Sequence, residues 1–123
     1  MIRFEKVSKA YVSGTYAVRS LDLEIEQGEL IVLVGPSGCG KTTTLKMINR
    51  LIEPDSGQIF IKGRNIQEIN PAILRRQIGY VIQQIGLFPH MTIAQNVGLV
   101  MKLLGKSPRE REKRVNELLE MVG

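Results

Sequence analysis

Gly35-Pro36-Ser37-Gly38-Cys39-Gly40-Lys41-Thr42 fits the spacing G-x-x-x-x-G-K-[ST] of a polyphosphate-binding loop. The flanks fit as well. Leu30-Ile31-Val32-Leu33-Val34 leads in as an unbroken apolar run of strand length. Thr43-Thr44-Leu45-Lys46-Met47-Ile48 leads out without Gly or Pro, with Leu45 and Ile48 three apart, as on one helix face. Strand, glycine loop and helix are what this chemistry needs. The glycines let backbone N–H groups turn inward around a polyphosphate. A helix starting near Lys41 aims its unpaired N–H groups and the positive end of its dipole at the same anion. Lys41 is then expected on the β- and γ-phosphates and the Thr42 hydroxyl on Mg²⁺.

With 123 residues there is room for one small domain. A nucleotide-hydrolysing site also needs an acidic metal ligand and a group that positions the attacking water. No apolar strand after the loop ends in an acid: Gln58-Ile59-Phe60-Ile61 runs into Lys62-Gly63, and Gly79-Tyr80-Val81-Ile82 runs into Gln83-Gln84. The phosphate grip is present without its hydrolytic half. Apolar content of 43% and charged content of 24% are those of a folded globular domain. No apolar run reaches membrane-spanning length, and Met1-Ile2-Arg3-Phe4-Glu5-Lys6 lacks the apolar centre of a secretory signal. The single cysteine, Cys39, excludes an internal disulfide and suits a reducing cytoplasmic setting. The net charge of +5 does not indicate nucleic acid, because bases alternate with acids, as in Arg109-Glu110-Arg111-Glu112-Lys113-Arg114, a pattern of solvated helix.

Along the chain, Ile2-Arg3-Phe4-Glu5-Lys6-Val7 alternates as a half-buried strand, and Val18, Leu21, Leu23 and Ile25 mark a second. Glu53-Pro54-Asp55-Ser56-Gly57 is a turn, residues 58–61 a strand, and residues 71–76 a short helix. Residues 79–82 read as a further short strand ending in Gln83-Gln84. Beyond that the chain turns helical. Thr92-Ile93-Ala94-Gln95 and Ser107-Pro108-Arg109-Glu110 are capping-box patterns, the second with Pro at the favoured first helical position. Ile93, Val97, Val100, Met101 and Leu104 form one apolar stripe, and Val115, Leu118, Leu119 and Val122 a second; both are expected to face a core.

In order and spacing these pieces resemble the nucleotide-binding subunit of ABC transporters over essentially the whole chain. The resemblance implies an α/β phosphate-loop NTPase fold: an antiparallel β subdomain plus part of the parallel core sheet across residues 1–91, then the start of a helical subdomain across residues 92–123. It puts Tyr11, shortly after the first strand, in the place of an aromatic that stacks on adenine. Tyr16 is the competing ring, beyond the turn Ser13-Gly14. Gly35, Ser37, Gly38, Cys39, Gly40, Lys41, Thr42 and Thr43 take the positions that hold ATP. Gln83 takes the place of a glutamine that touches the metal and the attacking water; neighbouring Gln84 would face the other way on a strand. The implied cofactors are ATP and Mg²⁺. The implied partners are a second ATP-binding subunit and transmembrane permease subunits. The permease is met by the loop after Gln83, where Leu87-Phe88-Pro89-His90-Met91-Thr92 fits the family pattern. The implied location is the inner face of the cell membrane.

Met47-Ile48-Asn49-Arg50-Leu51 and Tyr80-Val81-Ile82-Gln83-Gln84-Ile85-Gly86-Leu87-Phe88 look like the subgroup that takes up glycine betaine, carnitine and choline. The family's Leu-Ser-Gly-Gly-Gln signature, second acidic strand, catalytic glutamate and switch histidine are not among these residues, so the chain looks like the N-terminal half of such a subunit. His90, the one histidine, lies in the wrong segment to be that switch. Cys39 reads as a small residue tolerated by the loop. Two other classes stay open at this point: a phosphate-loop small-molecule kinase, and a non-catalytic module that holds nucleotide or docks on a permease.

Overall fold

The structure is a computed structural model that describes residues 1–123. It divides into two compact units, Met1–Ile78 and Gly79–Gly123, each described here by itself.

The first unit is built on a four-stranded sheet in the order β2-β1-β3-β4, with β1 (Ile2–Ala10), β2 (Tyr16–Ile25), β3 (Ser56–Ile61) and β4 (Arg64–Asn65). Every pairing is antiparallel. β1 is central, and its register explains its residue pattern. Phe4 pairs with Leu23 and Val7 with Leu21, so three steps on β1 oppose two on β2. Strand side chains alternate, so Phe4 and Val7 would face opposite ways without an extra residue. Lys6 supplies it, bulging out at φ 47° with its N–H donating to Asp22 Oδ1 at 2.8 Å. Both apolar side chains thereby enter the core. Gly57 of β3 lies against the bulge with φ 82°, where an added Cβ would run into the carbonyl oxygens of Glu5 and Lys6.

Phe4, Val7 and Ile59 from the sheet meet Met47 of α1 (Lys41–Ile48), Ile66 of a single 3₁₀ turn and Leu74 of α2 (Pro71–Arg76) in the buried core. The helix α2 begins as its sequence dictates: Pro71 occupies the first turn and Asn70 accepts the N–H of Ala72. Its Arg75 donates to the carbonyls of Asn49 and Arg50, satisfying acceptors at the end of α1.

Two expectations fail. Residues 30–34 and 79–82 join no ladder, so neither is a strand and no parallel pairing is present. A strand apolar on both faces is made by neighbours on both edges. Without them Leu30 and Val34 are 87% and 88% exposed.

The second unit holds α3 (Ile93–Leu103) and α4 (Pro108–Val122). Both capping boxes form: Thr92 with Gln95, and Ser107 with Glu110. The stripes are not buried as expected. Gly98 and Val115 are the buried pair, and a Cβ on Gly98 would stand 3.3 Å from Val115. Ile93 is 70% exposed, and Val100, Leu104, Leu119 and Val122 are exposed too. Two helices hide only the facing sides of their stripes. Before α3, Asn96 ties down the chain: its Oδ1 accepts the N–H of Phe88, and its amide donates to the carbonyls of Phe88, Met91 and Thr92. This unit begins at Gly79, although helical composition begins only at residue 92. No helix is long and apolar enough to cross a membrane.

Candidate nucleotide site

The phosphate loop and its helix all lie in the first unit. Gly38 and Gly40 take φ values of 80° and 99°, a region costly for residues with a Cβ. Gly40 has a second constraint. An added Cβ would strike the carbonyl of Ala17 on β2, so the loop is seated hard against the sheet. Gly40 is also the N-cap of α1, and no side chain caps that end. The N–H groups of the first turn are therefore left to a ligand, and an anion is the ligand that they and the helix dipole favour.

Lys41 opens the helix and folds back over the loop. Its Nζ donates to the carbonyls of Gly35 and Pro36, both at 2.7 Å, and lies 3.3 Å from Cys39 Sγ. The ammonium thus sits among the atoms a phosphate would face, bracing the turn. Thr42 is exposed beside it, its hydroxyl open to an outside ligand. Thr43 and Thr44 are buried, and Thr44 Oγ1 donates to the Gly40 carbonyl at 2.8 Å. Ser37 is exposed within the loop. A cavity of about 400 Å³ runs between the loop and β2, bounded by Val18, Leu21, Val34, Cys39 and Lys41. A larger one of about 660 Å³ lies between α3 and α4 and holds none of the phosphate-binding residues.

Tyr11 starts the hairpin between β1 and β2, which closes through Tyr11 N–H to Thr15 O and Gly14 N–H to Tyr11 O, both 2.9 Å. Its phenol oxygen lies 3.0 Å from Thr43 Oγ1, on the first turn of α1. The aromatic residue is thus brought to the phosphate loop. Asp55 fixes the chain just before it, accepting Ala10 N–H at 2.7 Å and Lys9 Nζ at 3.0 Å. Those two bonds, the backbone one first, hold the Asp55 carboxyl below the usual carboxylate range. The rival ring, Tyr16, carries the Arg19 guanidinium 4.8 Å from its centroid.

These residues fit a nucleoside triphosphate: N–H groups and a lysine for the phosphates, an aromatic face within reach of the same helix. They fit Mg²⁺ in a limited way. Thr42 offers one oxygen, and magnesium ordinarily takes one or two protein oxygens together with phosphate oxygens and water. Gln83 belongs to the other unit, in the unpaired segment before α3, with its side chain exposed. His90 packs edge-on to Phe88 at 5.8 Å between centroids. Sequence reading missed the Tyr11–Thr43 and Asp55–Ala10 links. Both join residues more than thirty positions apart and leave no local pattern.

A family model described as ABC transporter matches residues 18–123. The chain is 63% identical to the glycine betaine/carnitine/choline transport ATP-binding protein OpuCA of Bacillus subtilis, covering 99% of this chain and 32% of that protein. It is 60% identical to the choline transport ATP-binding protein OpuBA of the same species, with the same coverage. It thus spans about a third of the length of the curated relatives it matches. Among solved structures, a dimeric ATP-binding cassette in a post-hydrolysis state with ADP and Pi superposes with a TM-score of 0.84 at 34% identity. That match covers 98% of this chain and 56% of the other.

Proposed function

Because the chain belongs to the ABC transporter family, we propose that it carries the ATP-grasping half of an import ATPase, with a quaternary-ammonium osmoprotectant as the transported solute. The observation that bears most weight is the loop itself: Gly40 locked against β2, an uncapped first turn of α1, and Lys41 curled into the loop. The solute assignment leans on likeness to relatives named for glycine betaine, carnitine and choline. Nothing in these side chains recognises a quaternary ammonium, since such a subunit does not touch the solute.

In this reading the N–H groups at the start of α1 hold the β- and γ-phosphates. Lys41 turns from the Gly35 and Pro36 carbonyls to phosphate oxygens. Tyr11 offers its ring to the adenine, and Thr42 contributes one oxygen to Mg²⁺. When bound, the metal neutralises charge on the phosphates. By likeness to the family, Gln83 would supply a side-chain oxygen for the metal and for orienting water, and the segment after it would meet the permease. A second ATP-binding subunit completes the site at the cytoplasmic face of the membrane. Residues 1–123 bind nucleotide, and hydrolysis needs acidic groups that this stretch does not hold.

The test is ATP–Mg²⁺ binding by calorimetry to the full-length natural chain and its Lys41→Ala variant, paired with uptake of labelled glycine betaine in cells. Hydrogen bonds to charged groups contribute about 1.5–3 kcal/mol, so affinity should fall about ten- to a hundredfold and uptake should cease. Equal ATP affinity in both proteins refutes the nucleotide role. Lost ATP binding with normal betaine uptake refutes the solute.

A further inference from the structure

Tyr11 and Thr43 are 32 positions apart, and their hydroxyl oxygens lie 3.0 Å from each other. The two ends of this contact differ. Thr43 is 5% exposed and fixed in the first turn of α1, whereas Tyr11 is 54% exposed. The bond therefore holds the polar tip of a ring whose face stays open. A tyrosine at the mouth of a hairpin has free rotation about two side-chain bonds. Anchoring the phenol oxygen to a buried hydroxyl removes most of that freedom. The backbone is held from the other side, where Asp55 accepts Ala10 N–H at 2.7 Å.

We propose that Thr43 is a positioning residue for base recognition, which sets the Tyr11 ring at a fixed distance from the phosphate loop. This rests on the reading of Tyr11 as the platform for the base. Its ligand class is a purine nucleoside triphosphate, as against a bare polyphosphate. Thr43 is suited to the task because it stands on the helix turn that grips phosphate. A hydroxyl has one donor and two acceptor sites, so Thr43 can accept from the phenol and still donate elsewhere. The link makes base and phosphate recognition one rigid ruler. It also gives the phenol oxygen a role that stacking alone does not require: a phenylalanine would stack as well and would not be held.

The experiment compares ATP with inorganic tripolyphosphate, both with Mg²⁺, by calorimetry on the full-length natural chain. The variants are Tyr11→Phe, Thr43→Val, their double, and Thr43→Ser, which restores the hydroxyl. The ratio of ATP to tripolyphosphate affinity should fall about 3- to 10-fold in Tyr11→Phe and in Thr43→Val, the worth of one hydrogen bond. It should fall no further in the double variant and stay near wild type in Thr43→Ser. A merely structural or phosphate-binding Thr43 would weaken both ligands together and leave the ratio unchanged, which would overturn the proposal. Losses that multiply in the double variant would overturn it too. Tyr11→Ala separates the two layers. If it leaves ATP binding intact, the platform reading itself falls. If it weakens ATP while Tyr11→Phe does not, only the positioning role falls.

Discussion

Lys41 has three N–H donors, and the loop occupies all of them: two carbonyls and the Cys39 sulfur. An arriving phosphate must displace at least one, and the thiol, a weak acceptor, is the easiest to release. The Cys39 sulfur lies against Gly35, so close that a Cβ there would be 2.6 Å from it. It remains exposed enough for a small reagent to reach. Maleimide should therefore label Cys39 in nucleotide-free protein, and ATP–Mg²⁺ should protect it by filling the loop. Adenosine should not protect, since it carries no phosphate. Mass spectrometry of the labelled peptide reads the result, and equal protection by adenosine would contradict this geometry.

At the scale of the elements, the stability of β1 and of α4 depends on carboxylates at their ends. Asp55 accepts the Ala10 N–H and then Lys9, and Glu110 accepts the backbone N–H of Ser107 in its capping box; both carboxyls are held below their ordinary values. A carboxyl whose folded pKa is depressed adds stability above its unfolded value and loses it as pH falls through the folded one. For Asp55 the loss begins as pH falls through the ordinary aspartate range and continues below it. Glu53 behaves alike: burial pushes its carboxyl up, and bonds from Gln67 and Arg50 outweigh that and lower it. Asp55→Asn should therefore lower stability at neutral pH and flatten the acid limb of the stability curve. Urea midpoints of the full-length natural chain and its variant, measured between about pH 6 and pH 3, check this. An acid limb as steep in the variant as in the parent would show that Asp55 does not carry it.

For the whole molecule, the decisive quantity is apolar surface left in water. Leu30, Val32 and Val34 flank the phosphate loop with most of their area exposed, and Val81 and Ile85 do so around Gln83. Unpaired extended segments of this kind offer backbone groups and side chains to other chains. A polypeptide of residues 1–123 produced alone should bind a hydrophobic dye, aggregate on heating and show no cooperative melting transition. It should also leave ATP unhydrolysed. Positioning and charge stabilisation supply almost all phosphoryl-transfer catalysis, and this stretch has no acidic strand end to provide them. A sharply melting monomer that turns over ATP, with Lys41→Ala abolishing the turnover, would defeat both expectations.

What the sequence determined by itself was local. The loop spacing from Gly35 to Thr42, Pro71 opening α2, and both capping boxes are patterns within a few residues, and their physics is equally short-ranged. The alternation of β1 and β2 was legible for the same reason, though the Lys6 bulge that keeps Phe4 and Val7 on one face was not. Tertiary structure decided the rest. An apolar run becomes a strand only when something pairs with its edges, so residues 30–34 were strand-like in composition and unpaired in space. A helical stripe becomes core only where another surface covers it, which here happened at Gly98 and Val115 and not along the whole of either stripe. The contact between Tyr11 and Thr43 belongs to the same class, since proximity in the fold supplies it and sequence spacing cannot.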